Sequence, residues 1–127
     1  MRHVLIAGTR KYLDVNHTCD TLDEIIDFIK KDTNSPELAI ITAGSAGADW
    51  VGKIYAERNS LTHVELKPYW QTYGKSAGYR NIDRLIKKSD DVIILKYEKS
   101  SYIAELESKS ESKDLNVYIV HAKIKDK

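Results

Sequence analysis

Leu38-Ala39-Ile40-Ile41-Thr42-Ala43-Gly44-Ser45-Ala46-Gly47-Ala48-Asp49 is the stretch that decides the fold. A short run of mostly branched apolar residues has the length and character of a strand buried on both faces. It leads straight into a turn crowded with small side chains. Val51, Ile54 and Tyr55 then share one face of a helical pattern. A buried strand that passes through a glycine turn into a helix is the repeating unit of a parallel α/β sheet.

The same unit recurs on both sides of that stretch. Apolar runs rich in Val and Ile cover residues 3–7, 63–66, 91–95 and 116–120. Leu22, Ile25, Ile26 and Ile29 make one helical stripe, and Ile82, Leu85 and Ile86 another. A weaker helix is expected from about Ile103 to Ser110, where Ile103 and Leu106 are the apolar residues and packing at an edge is anticipated. Thr21 with Glu24 three residues on has the form of a capping box, with Thr18 as a competing start. The tail from Ala122 is expected to fray. The pattern predicts one α/β domain over residues 1–127, with three layers and a mainly parallel sheet of about five strands.

Composition narrows the function classes. A chain of 127 residues buries one core. With 20 Lys+Arg against 19 Asp+Glu, it lacks the basic excess of a duplex-DNA or membrane-surface binder, so nucleic acid is not the expected partner. No apolar run approaches the roughly 20 residues of a membrane-spanning helix. The apolar start at residues 4–8 is too short for a secretory signal, so a cytoplasmic protein is expected. Cys19 is the single cysteine, and His3, His17, His63 and His121 show no ligand spacing. No metal or cofactor is expected.

Parallel sheets bind ligands beyond the carboxyl ends of their strands. Gly8-Thr9-Arg10 follows the first strand: glycine permits close backbone approach, Thr9 offers a hydroxyl and Arg10 a planar cationic fork for phosphate. Gly44, Ser45, Gly47 and Ala48 follow the second strand at a helix start, where free amides attract anions. Asp49 there reads equally as a first-turn carboxylate or as a ligand to a ribose hydroxyl. Residues 67–81 read as a long loop that holds Trp70, Tyr73, Lys75, Arg80 and Asn81, aromatic rings for a base and cations for phosphate. The same residues also suit a small satellite core. After the fourth strand, Lys99 and Ser100 could meet an anion, and Glu105 reads as an acid, a base or an exposed helix residue.

These segments together resemble the YspA-like SLOG family. Residues 4–10 resemble its opening strand and loop, and residues 41–49 its T-G-G-A-R-G-A-D signature. Trp70-x-x-Tyr73-Gly74-Lys75-x-Ala77-Gly78-x-Arg80-Asn81 resembles its W-x-x-x-G-K-x-A-G-x-x-R-N segment, and residues 89–93 and 116–120 resemble its later strands. Ala43 and Ala46 stand where the signature has Gly and Arg, and Tyr69 where an Asp usually precedes the Trp. Neither residue of the Gly-Thr pair found in the related LOG phosphoribohydrolases follows Ser100.

The resemblance implies a Rossmann-like fold and a nucleotide-derived ligand. Phosphate would be held by Gly8, Thr9, Arg10, Gly44, Ser45, Gly47 and Ala48, with Trp70 or Tyr73 over the base and Lys75, Arg80, Asn81 and Ser100 completing the site. It also implies a homo-oligomer, and for a phage-borne member an anti-defence role as sponge or sensor of an immune nucleotide such as an ADP-ribose derivative. Two other classes stay open: a LOG-like hydrolase of an N-glycosidic or related nucleotide linkage using Glu105 or Asp49, and a single-stranded nucleic-acid or protein interaction module.

Overall fold

The structure is a computed structural model that describes residues 1–125. Five strands, β1 (Arg2–Gly8), β2 (Leu38–Thr42), β3 (Thr62–Glu65), β4 (Asp91–Lys96) and β5 (Asn116–His121), form one sheet in the order β3-β2-β1-β4-β5. Every neighbouring pair is parallel. Each crossover carries a helix: α1 (Val15–Asp32), α2 (Ala48–Arg58), α4 (Ala77–Lys88) and α5 (Ser101–Ser112). The one-turn α3 (Trp70–Tyr73) and a 3-10 turn (Gly74–Ser76) precede α4. The domain is Rossmann-like. Among the described residues, no helix is long and apolar enough to cross a membrane.

Alternation along the strands builds two cores. Val4 and Ile6 of β1, with Ile40 and Ile93, meet Leu22, Ile26 and Ile29 of α1 and Val51 and Tyr55 of α2. Leu5 and Ala7, with Ile41, Val92 and Ile94, meet Ile82, Leu85 and Ile86 of α4 and Ile103 and Leu106 of α5. The weak stripe of α5 is therefore enough to seat it on the sheet. His63 is a satisfied strand histidine, with Nε2 2.8 Å from the Thr42 hydroxyl. Cys19 is buried, and that burial pushes its thiol pKa up.

Three expectations change. Helix α1 begins before both proposed threonine caps: Asp14 is its cap and accepts the His17 amide at 3.1 Å. Residues 67–81 are largely helical, and α4 already includes Ala77–Asn81. The tail is tied down as far as it is described. Ile124 bridges Leu13, and the Lys125 amide donates to the Tyr12 carbonyl at 2.9 Å. Residues 126 and 127 lie outside the described residues.

Candidate functional site

The strand order reverses between β1 and β4, because β1 is followed across the sheet by β2 on one side and β4 on the other. The two loops leaving such a switch point diverge to opposite faces and leave a crevice between them. A pocket of about 460 Å³ lies there, walled by Gly8, Thr9 and Arg10 after β1 and by Glu98, Ser100, Ser101, Tyr102 and Ile103 after β4. Trp70, Lys75, Gly78 and Tyr79 close it from the α3–α4 side.

The floor is set by close backbone packing. Gly8 has φ +147°, and a Cβ on it would stand 2.0 Å from the Leu95 carbonyl oxygen, so only glycine lets β1 run this close to β4. The Thr9 amide donates to that carbonyl at 2.8 Å. The Thr9 hydroxyl accepts the Lys11 amide at 3.1 Å, which turns the chain and leaves the Arg10 side chain exposed.

Three side chains converge on Gly78. A Cβ there would meet Trp70 Cη2 at 3.7 Å, Arg10 Nη2 at 3.9 Å and Tyr102 Cε1 at 3.9 Å. A guanidinium, an indole and a phenol thus share a small space that exists because residue 78 has no side chain. Tyr102 packs edge-on against Tyr79, and the Tyr79 hydroxyl bonds the Ser101 hydroxyl. Burial and the Asp49 carboxylate push the Tyr102 pKa up to about 12, against the Arg10 charge. It stays a neutral phenol at ordinary pH.

Helix α5 points its N-terminus at this pocket. Ser100 caps it by accepting the Ile103 amide at 3.4 Å, and Ser100–Ile103 all line the wall. First-turn amides and the helix dipole favour an anion there. Among the described residues neither Arg10 nor Lys75 is in a salt bridge, so both cations can meet that anion. Glu98 is the lining carboxylate, and it faces Lys11 at 3.9 Å across an exposed pair.

Of the residues singled out from the sequence, the pocket therefore gathers Gly8, Thr9, Arg10, Trp70, Lys75 and Ser100. Gly44, Ser45, Ala48 and Asp49 lie behind it instead. The Ala48 amide donates to the Thr9 carbonyl at 2.8 Å, and the Ser45 amide donates to Asp49 Oδ2 at 3.0 Å. The Ala48 amide locks the β1 and β2 loops together, the Ser45 amide ties the turn after β2 to the first turn of α2, and neither is turned to a ligand. Gly47 forms the seam, since a Cβ on it would stand 2.3 Å from the Thr9 carbonyl oxygen. Burial raises the Asp49 pKa from 3.8 to about 6, opposed by the Ser45 amide and the Arg10 charge.

Tyr73, Arg80 and Asn81 face a separate depression. Arg80 lies 4.4 Å over the Tyr73 ring, and Asn81 donates to the Leu66 carbonyl at 2.7 Å, pinning α4 to the end of β3. Glu105 sits on the exposed face of α5 beside Lys109, 3.7 Å away, and does not line the pocket. Six lining residues, Gly78, Tyr79, Glu98, Ser101, Tyr102 and Ile103, were not among the sequence candidates. Gly78 stood inside the quoted Trp70–Asn81 segment, and a cap at Ser100 would have placed Ser101 and Tyr102 at a helix mouth.

A family model described as "YspA, cpYpsA-related SLOG family" matches residues 2–73, more than half of the chain. The chain belongs to this family. The matched SLOG stretch carries Gly8–Arg10, the Gly44–Asp49 turn and Trp70, and it ends before Lys75, Gly78 and Ser100. Membership is consistent with a nucleotide-related ligand. No curated protein and no solved structure matches the chain.

Proposed function

We propose that this SLOG protein binds a nucleotide-derived small molecule in the pocket at the β1/β4 switch. The observation that carries the reading is the convergence of Arg10, Trp70 and Tyr102 on Gly78 beside the N-terminus of α5. Arg10, Lys75 and the α5 amides take phosphate. The indole of Trp70, nearly half exposed, lies against the base. An indole face with a neighbouring cation suits a nucleobase and its phosphate, because stacking and charge-assisted hydrogen bonds act on the two ends at once.

Binding is favoured over LOG-like hydrolysis for a geometric reason. Hydrolysis of a bound nucleotide needs a carboxylate within reach of the ribose or of a water on it. Asp49 is buried behind the Ser45 amide, Glu105 lies on another face of α5, and Glu98, the carboxylate that does line the pocket, is exposed and faces Lys11 at 3.9 Å. Sequestering or sensing an immune nucleotide signal, an ADP-ribose derivative among them, is the role this reading suggests for a phage-borne family member.

A thermal-shift and calorimetric panel of nucleotides, ADP-ribose and its cyclic derivatives, and cyclic oligonucleotides tests the proposal. At least one phosphate-bearing member should stabilise the wild type, and Arg10→Ala and Lys75→Ala should each weaken it without lowering the melting temperature of the free protein. Affinity indifferent to both substitutions removes the site. Release of a free base from any panel member turns the reading to the hydrolase.

A further inference from the structure

A second cleft, of about 760 Å³, opens on the other side of the Thr9–Arg10 loop. Tyr12, Leu13, Val15, Ala46, Gly47, Trp50 and Lys125 line it. We infer that this cleft is a second base subsite and that the ligand is a dinucleotide, two bases joined through phosphates, with the linkage over Arg10. The inference rests on the phosphate site proposed above and extends it to a second aromatic end.

The two cavities share a wall one backbone thick. Gly47 lines the second cleft, and a Cβ on it would stand 2.7 Å from the Arg10 Cα and carbonyl carbon. Arg10 in turn lines the first pocket. The chain has two tryptophans, and one stands in each cavity: Trp70 in the first and Trp50 in the second.

Both aromatic rings of the second cleft are exposed without a ring partner. Tyr12 is 74% exposed and Trp50 47%. Among the described residues the ring pairs are Phe28–Tyr118 and Tyr79–Tyr102, so Tyr12 and Trp50 line one cavity without stacking on each other. An exposed ring with no ring partner offers its surface to a flat base.

The wall is also held in place before any ligand arrives. The Lys125 amide donates to the Tyr12 carbonyl, Leu13 bridges Ile124, and the Asp14 amide donates to the Lys123 carbonyl at 2.9 Å. The C-terminal strap thus fixes the backbone beneath an exposed tyrosine and brings Lys125 to the cleft. A backbone already fixed loses little further conformational freedom on binding. Among the described residues the second cleft has no arginine. The starts of α1 and α2 reach it through Val15, Gly47 and Trp50. Asp14 already accepts the His17 amide and the Ala48 amide is already bonded to the Thr9 carbonyl, so the cleft suits the base of a ligand whose phosphates lie next door.

Tryptophan fluorescence reads the two subsites separately. Trp70→Phe leaves Trp50 as the reporter, and Trp50→Phe leaves Trp70. The probes are inorganic pyrophosphate, ADP-ribose with one base, and diadenosine polyphosphates with two bases. The diadenosine probes should quench both reporters, and ADP-ribose should quench Trp70 alone. Trp50→Ala and Tyr12→Ala should weaken the diadenosine probes about ten-fold, the weight of one base stacked on an aromatic ring. They should leave ADP-ribose affinity unchanged. Equal affinity for one-base and two-base probes, with Trp50 unquenched, overturns the dinucleotide and leaves the first pocket standing. No binding by any probe, or binding indifferent to Arg10→Ala, overturns both readings.

Discussion

Gly47 approaches Thr9 so closely that a Cβ on Gly47 would stand 2.3 Å from the Thr9 carbonyl oxygen, the same oxygen that accepts the Ala48 amide at 2.8 Å. This contact joins the loops after β1 and β2 and holds the Arg10 backbone. Gly47 also has φ +75°, a conformation that strains any L side chain. Gly47→Ala must both adopt that φ and push the loops apart. It is expected to destabilise the fold by about 3 kcal/mol, the range of combined backbone and packing faults. Urea denaturation checks this, and a loss below about 1 kcal/mol contradicts the contact.

Asp49 makes stability depend on pH in a definite direction. Its pKa rises from 3.8 to about 6 on folding, mainly because burial disfavours the charged carboxylate. The folded state therefore holds its proton more tightly than the unfolded chain. The stabilisation is complete below about pH 4 and is lost as pH rises through about 6, an amplitude of ~3 kcal/mol. Asp49→Asn removes this titration while keeping an oxygen for the Ser45 amide. The stability of the wild type relative to the variant should fall between pH 4 and pH 7. A constant difference across that window contradicts the burial of Asp49.

At the opposite end of the sheet, Asp91 is fully buried beneath a two-pronged contact from Arg2: Nε to Oδ2 at 2.6 Å and Nη2 to Oδ1 at 3.1 Å. Asn116 donates to Oδ1 at 3.1 Å, so the cluster links β1, β4 and β5. Arg2→Met leaves the carboxylate with one neutral donor. It should cost about 3 kcal/mol, as removal of one member of a buried pair does. Because the cluster lies at the amino ends of the strands, ligand affinity of the folded fraction should not change. Urea melts and calorimetry on the same preparation separate the two effects.

The sheet was legible because strands buried on both faces read as unbroken apolar runs, and β1, β2 and β4 lie within one residue of those runs at each end. The start of α1 was not. Thr18 and Thr21 look like caps, but their hydroxyls donate back to the Asp14 and His17 carbonyls inside a helix that Asp14 has already opened. Residues 67–81 read as a loop because glycines and aromatics crowd there. Gly78 nonetheless sits in α4, where its missing side chain makes room for Arg10, Trp70 and Tyr102.

The lining of the candidate pocket was legible only in part, for a topological reason. Every strand-end loop was a candidate from the sequence, and which two loops face one another depends on strand order. With β1 beside β4, Ser100 joins Arg10, whereas the Gly44–Asp49 turn becomes the support behind them. Arg80 points along α4 to Tyr73 and away from that crevice. The local sequence around Arg80 and Glu105 has no feature that reports which neighbour the sheet order supplies.

Gly78 offers the most direct test of the central claim. Its φ is ordinary for a helix, and a Cβ would make ordinary contacts at 3.7–3.9 Å, so Gly78→Ala should raise stability by up to about 1 kcal/mol through helix propensity. Gly78→Leu extends the side chain into the space shared by Arg10, Trp70 and Tyr102. The decisive measurement is calorimetric titration of a nucleotide panel into the wild type and Gly78→Leu side by side. The account predicts a panel member that binds the wild type and loses at least about ten-fold in affinity for a fully folded Gly78→Leu, a difference of ~1.4 kcal/mol. Binding of the same strength to both proteins, or to neither, contradicts it.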